Sequence, residues 1–287
     1  MHDIPAGWAT GAARRVEARL AAFQRWWSPL ERGLLLTART DYRERPLPHG
    51  FEVRVVDAAG TPRRIAAAGG TGRPLVILPG LYATLTEGLF VEIAELAAAR
   101  GRAVLLVEDR LAAGTLTLTG GEVPSLARIG AELAALCRAL PELPDALALS
   151  AGAAAALAAP PGTFERICIW SGAVDLWAAA ENLARHALPR WHYARAHRRS
   201  FHAAQVAAPP LESVAARLAA GAPCGLPPGP LLVVHAEDDP VVPASAVARL
   251  PLEDDQCATV LPAGAHLGFG TLAGTDVYLV PFDESAF

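Results

Sequence analysis

Three short segments carry residue types that together can move an acyl group. Ala148-Leu149-Ser150-Ala151-Gly152 follows an apolar run and opens an alanine-rich stretch, a strand-turn-helix context that lifts a serine hydroxyl above a sheet. Small residues two before and two after the serine let strand and helix approach closely while the serine occupies a strained turn. Farther on, Leu231-Leu232-Val233-Val234-His235-Ala236 reads as a buried strand that delivers the acids Glu237-Asp238-Asp239 at its end. Reactive groups of open α/β sheets sit at such strand ends. A third apolar run, Ala258–Leu261, leads to Ala263-Gly264-Ala265-His266-Leu267-Gly268-Phe269. Taken singly, these are an N-cap serine, a solvated acidic loop and a structural histidine. Taken in the chain order serine, acid, histidine, each after an apolar strand, they fit nucleophilic acyl transfer, in which an imidazole activates the hydroxyl and a carboxylate orients the imidazole.

The elements that must position these groups are legible in the hydrophobic pattern. Short apolar runs at Leu75–Leu78, Ala103–Val107, Ala146–Leu149, Ile167–Trp170 and Leu231–Val234 alternate with helical stretches at 87–100, 124–140, 151–159 and 243–250. Continuous apolar strands joined by helical crossovers predict an α/β fold, a doubly wound and mostly parallel sheet covered on both faces. Ahead of them, Phe51–Val55 and a second strand near Arg64–Ala67 flank the Gly60-Thr61-Pro62 turn and predict a hairpin. Residues 11–40 predict an appended helix or helix pair, with Val16, Leu20, Phe23, Trp27 and Leu30 at helical spacing, Pro29 as a kink, and Trp26 and Trp27 as docking residues. The stretch between the strands at Ile167 and Leu231 is too long for a simple crossover and is helix-like, which predicts a cap over the strand ends. The expected organisation is an N-terminal helical extension at 1–46, core at 47–173, a helical cap insertion at 174–221, and core again at 222–287.

Composition bounds the function class. The 287 residues are 52% hydrophobic and 19% charged, enough apolar material for one large domain. A net charge of −4, with every cation an arginine, gives no global field for nucleic acid or an anionic membrane. No basic and apolar leader opens the chain and no apolar run reaches the length of a membrane span, so a soluble, cytoplasmic protein is expected. Cys137, Cys168, Cys224 and Cys257 are scattered, without the close pairing of a zinc or redox site. His186, His192, His197 and His202 recur at five or six residues, which puts no successive pair on one helical face. No metal or cofactor is expected.

Over roughly residues 50–270 the chain resembles the α/β-hydrolase superfamily. The elements Asp239-Pro240-Val241-Val242-Pro243 and His266-Leu267-Gly268-Phe269 are its more specific marks, and the second is similar to the YheT-like branch of bacterial esterases. The resemblance implies Ser150 as nucleophile, His266 as general base and acid, and Asp239, not Asp238, as the orienting carboxylate. It implies an oxyanion hole made by the backbone N–H groups of Leu81 and Ala151, because Pro79-Gly80-Leu81-Tyr82 follows the first parallel strand. Three departures stand out: Ala148 replaces the first glycine of the elbow, Pro79 replaces a histidine, and Asp276–Pro281 replaces a long C-terminal helix. The N-terminal helix would cover the face so vacated; left bare, that face would favour a homodimer.

The expected activity is hydrolysis of a carboxylic ester or thioester through an acyl-serine, on a small-molecule or carrier-bound acyl substrate. The rival readings are an acyltransferase or cyclase on the same scaffold and a non-catalytic binding protein. Asp175 is an alternative acid whose plainer role is an N-cap. Arg185, Arg190, Arg195, Arg198 and Arg199 crowd a cap segment that also carries Trp191, Tyr193 and Phe201, with Glu181 as the only acid between residues 181 and 205. The plain reading is a solvated face. The sharper one gives Arg195, Arg198 and Arg199 to an anionic group of the substrate or its carrier, with Tyr82 as a further substrate-binding residue.

Overall fold

The apolar runs form the strands of a single eight-stranded sheet in the computed structural model, which describes residues 7–24, 44–185, 187–219 and 225–283. The strands are β1 (Glu52–Ala58), β2 (Thr61–Ala68), β3 (Gly72–Leu78), β4 (Arg102–Val107), β5 (Asp145–Leu149), β6 (Ile167–Trp170), β7 (Leu231–Ala236) and β8 (Gln256–Leu261). Their order across the sheet is β1-β2-β4-β3-β5-β6-β7-β8. The hairpin β1–β2 is antiparallel and joins β4 antiparallel, whereas β4, β3, β5, β6, β7 and β8 run parallel. A parallel sheet needs crossovers and cover on both faces. Alternation supplies that cover: Leu75, Ile77, Leu147, Leu149, Leu232 and Val234 enter one core, and Val76, Leu78, Ala146, Ala148, Leu231 and Val233 enter the other.

The helices are α1 (Trp8–Gln24), α2 (Gly88–Ala99), α3 (Ala113–Leu118), α4 (Leu126–Arg138), α5 (Gly152–Leu157), α6 (Leu176–Arg185), α7 (Ala187–Ala203), α8 (Leu211–Ala219), α9 (Ala244–Val247) and α10 (Phe269–Ala273). The helix expected over 11–40 thus covers Trp8–Gln24, and the expectations for Trp26, Trp27, Pro29 and Leu30 lie outside the described residues, as do those for His186 and Cys224. Helix α3 has no counterpart in the sequence reading. Gly114, Thr115 and Thr117 are poor helix formers and the segment is short, and burial of Thr115 and Leu116 supports the helix.

After α10 the chain closes in a 3-10 segment, Thr275–Phe282, where a long helix was the family expectation. Helix α1 lies against it and against β7 and β8. Val16 and Leu20 are buried there, the Trp8 ring packs on Phe282 with centroids 6.2 Å apart, and Trp8 Nε1 donates to the Pro281 carbonyl at 3.1 Å. The face that would have favoured a homodimer if bare is covered by the chain itself. At the opposite end of β5, buried Asp145 takes two hydrogen bonds from Arg166, at 2.8 and 2.7 Å, and a third from Arg102. This cluster satisfies a buried charge.

Candidate active site

The carboxyl ends of β5, β7 and β8 bring the three candidate residues into hydrogen-bonding sequence. Ser150 follows β5 with φ +53°, a conformation that costs an ordinary L-residue energy and persists only where the surroundings impose it. What imposes it is close approach: a Cβ on Gly152 would lie 2.2 Å from the Leu78 carbonyl oxygen, and one on Gly80 would lie 3.3 Å from Ser150 Cβ. Ala148 is buried within the sheet between Leu78 and Ile169, so a methyl has a place there. Gly152 has no such room. Gly152→Val should therefore lower Tm by about 10 °C or yield insoluble protein, given an overpacking cost of about 3 kcal/mol or more. A melt followed by circular dichroism checks this, and a Tm within about 2 °C of the parent would refute the elbow geometry.

His266 Nε2 is 2.8 Å from Ser150 Oγ, and His266 Nδ1 is 3.0 Å from Asp239 Oδ2. A carboxylate only accepts, so Nδ1 carries the proton and Nε2 of the neutral ring is free to accept from the serine. Asp239 is held in turn: its Oδ1 accepts from Val241 N at 2.8 Å and Val242 N at 3.0 Å. His235, fully buried, donates from Nε2 to the Val242 carbonyl at 3.0 Å and so ties down the same turn. Burial lowers its pKa, which keeps it neutral beside Asp239.

Asp238 has a different task. Its Oδ1 accepts from Gly264 N and Ala265 N, at 3.0 and 2.8 Å, and the Ser171 hydroxyl accepts from Leu267 N at 3.3 Å. These bonds strap a loop whose residues on either side of the histidine, Ala265 and Leu267, both have positive φ. Adjacent acids thus leave β7 in different directions, one to the imidazole and one to the loop carrying it. Asp175 accepts from Ala178 N at 3.0 Å, the N-cap role of its plainer reading.

The Leu81 and Ala151 N–H groups donate to no acceptor among the described residues, and both residues border the cavity at Ser150. Their loop is fixed by Asp109, which accepts from Tyr82 N at 2.8 Å and Leu111 N at 3.0 Å. Burial pushes the Asp109 carboxyl up to about 6. Tyr82 itself, with φ +66°, donates its hydroxyl to His197 Nδ1 at 2.7 Å, because His197 Nε2 must donate to the Pro209 carbonyl at 2.8 Å. That chain of bonds pins α7 to the loop that follows β3.

Two cavities meet at Ser150. One, about 370 Å³, is lined by Leu176, Leu183, Val214 and Leu218 of α6 and α8. The other, about 200 Å³, is lined by Glu87, His192, Arg195 and Arg199, with Tyr82 and His266. Tyr193 borders both, and burial pushes its phenol up to about 12. Of the arginines expected to meet substrate, Arg195 and Arg199 line the smaller cavity. Arg198 does not: it lies exposed and lines neither cavity, because it falls on another side of α7. Glu87, His235, Asp109 and Tyr193 were given no role by sequence reasoning; the tyrosine was noted only as one of three cap aromatics. Among the described residues no group of histidines, cysteines and acids is arranged to hold a metal ion.

The chain matches no family model and no curated protein. Solved structures do resemble it. A 2,6-dihydroxy-pseudo-oxynicotine hydrolase superposes with a TM-score of 0.56 at 18% identity, over 95% of this chain and 85% of that one. An N-formylmaleamic acid deformylase variant from Pseudomonas putida S16 gives 0.52 at 16%, over 81% and 100%. A mouse α/β-hydrolase domain-containing protein gives 0.50 at 13%, over 80% and 96%. The chain has the α/β-hydrolase fold. On that fold Ser150 lies in the β5–α5 turn, Asp239 follows β7 and His266 follows β8. The likeness reaches the fold; the narrower resemblance to the YheT-like branch rests on His266–Phe269 alone. No described helix is long and apolar enough to cross a membrane.

Proposed function

We infer that the protein is a serine hydrolase that cleaves a carboxylic ester or thioester through an acyl-serine. The observation that carries this reading is the unbroken chain from Asp239 through His266 to Ser150, at 3.0 and 2.8 Å, on a serine strained to φ +53°. Ser150 Oγ attacks the acyl carbon while its proton passes to His266 Nε2. Asp239 stabilises the imidazolium, and the N–H groups of Leu81 and Ala151 bind the oxygen that gains negative charge. Collapse of the tetrahedral intermediate breaks the bond to the leaving group, which takes the proton from Nε2. Water then repeats the sequence on the acyl-serine and restores the hydroxyl, so no cofactor enters the balance. The resemblance to a deformylase brings amides into the candidate range beside esters, since the same steps serve both.

A fluorophosphonate probe tests the reading, because only an activated serine is phosphonylated. The expected result is stoichiometric labelling on the tryptic peptide that contains Ser150, lost in His266→Ala. No labelling of folded protein overturns the reading in favour of a binding protein on a hydrolase scaffold.

A further inference from the structure

The two cavities differ in chemistry as well as size, and Ser150 stands where they meet. The larger is apolar: its charged lining residues, Glu181, Arg190 and Glu212, are exposed at its rim. The smaller holds Glu87, His192, Arg195 and Arg199. The reacting groups divide between them. Ala151, one of the two oxyanion donors, borders only the larger cavity, Leu81 borders both, and His266 borders only the smaller. In an acyl-serine mechanism the leaving group departs on the side of the acid that protonates it. The acyl chain then extends away from that side, past the oxyanion donors.

Resting on the acyl-serine reading, we propose that the substrate joins an apolar acyl group, seated between α6 and α8, to a polar leaving group bearing an anionic substituent, seated under α7 beside Arg195 and Arg199. The charge of the smaller cavity supports the sign. Burial pushes the Glu87 carboxyl up to about 8, so it is largely uncharged at neutral pH, and burial with the nearby Arg195 and Arg199 lowers the His192 pKa. The two guanidinium groups remain as the formal charges. Arg195 is steadied over the Trp191 ring, 5.6 Å from its centroid. Arg199 stands 4.0 Å from Glu44 with both side chains 69% exposed, a loose pairing that a carboxylate or phosphate on the substrate displaces at little cost. Tyr193, which with Ser150 lines both cavities, stands between the two halves of the substrate.

Three phenyl esters with leaving groups of similar acidity read the orientation: 3-carboxyphenyl hexanoate, phenyl hexanoate and monophenyl adipate. The expected order of kcat/KM is the first above the second by about tenfold, the gain of one charge-assisted hydrogen bond, and the third below the second by at least about tenfold. In Arg195→Gln/Arg199→Gln the ratio of the first to the second falls to about one. In Ala215→Phe, which places a ring in the larger cavity, the preference shifts from hexanoyl to acetyl esters. Turnover with monophenyl adipate favoured, or a ratio that the arginine variant leaves intact, overturns this proposal while the acyl-serine reading stands. No turnover of any ester, together with no phosphonylation of Ser150, overturns the acyl-serine reading and the proposal with it.

Discussion

Ser150→Ala is expected to cut kcat by about 10⁴- to 10⁶-fold on any ester the parent hydrolyses, because the hydroxyl supplies the covalent intermediate and the other two residues have no substitute for it. The fold should survive. The turn at residue 150 is imposed by contacts of Gly80 and Gly152 with the backbone and side chain around it, and alanine meets the same positive φ that serine does. A Tm within about 3 °C of the parent accompanies the loss, since removing one hydroxyl at a strained site costs about 1 kcal/mol at most. Stopped-flow measurement on the variant should show neither burst nor turnover. Activity within tenfold of the parent would remove Ser150 from the chemistry.

Asp239→Asn is expected to cost about 10⁴-fold in kcat, and Asp238→Asn less than about threefold. The difference follows from what each oxygen accepts. An amide at 239 offers N–H to His266 Nδ1, which flips the imidazole to the tautomer with the proton on Nε2 and so removes the base facing Ser150. An amide at 238 keeps an oxygen for Gly264 N and Ala265 N, so the loop strap survives. Asp238→Ala removes that acceptor and should show an intermediate loss together with a lower Tm. The opposite ranking of the two asparagine variants refutes the assignment of the acid.

The sheet was legible because parallel strands buried on both faces read as uninterrupted apolar runs, and Leu75–Leu78, Ala146–Leu149 and Ile167–Trp170 all fall within strands of the structure. Ser150, Asp239 and His266 were legible for a related reason: each follows such a run, so its place at the carboxyl edge comes with the strand. Tyr193 and Glu87 carry no comparable signal. One sits on a cap helix and the other just before α2, and only packing of the cap onto the sheet brings both to the same cavity. The roles of Asp238 and Asp109 were hidden differently, since both act on backbone N–H groups of residues 26 or more positions away in the chain. Arg198 shows the limit of composition: four of the five arginines fall on α7, while helical geometry decides which of them face the site.

The cover that α1 gives to the 3-10 segment also sets the timing of the protein's assembly. Trp8 and Pro281 lie 273 residues apart in the chain, yet they share a buried hydrogen bond. At ribosomal speeds of about 5–20 residues per second, α1 leaves the exit tunnel roughly 15–50 s before its docking surface exists. During that interval the buried face of α1, with Val16 and Leu20, has no native partner. Helix α1 is therefore made before every strand of the sheet and docks after the last of them, a closure of high contact order that exposes the nascent chain to holdase chaperones. Relinking the chain so that α1 follows residue 283 would have the helix synthesised after its docking surface, which makes the order of synthesis, separately from the stability of the product, open to experiment.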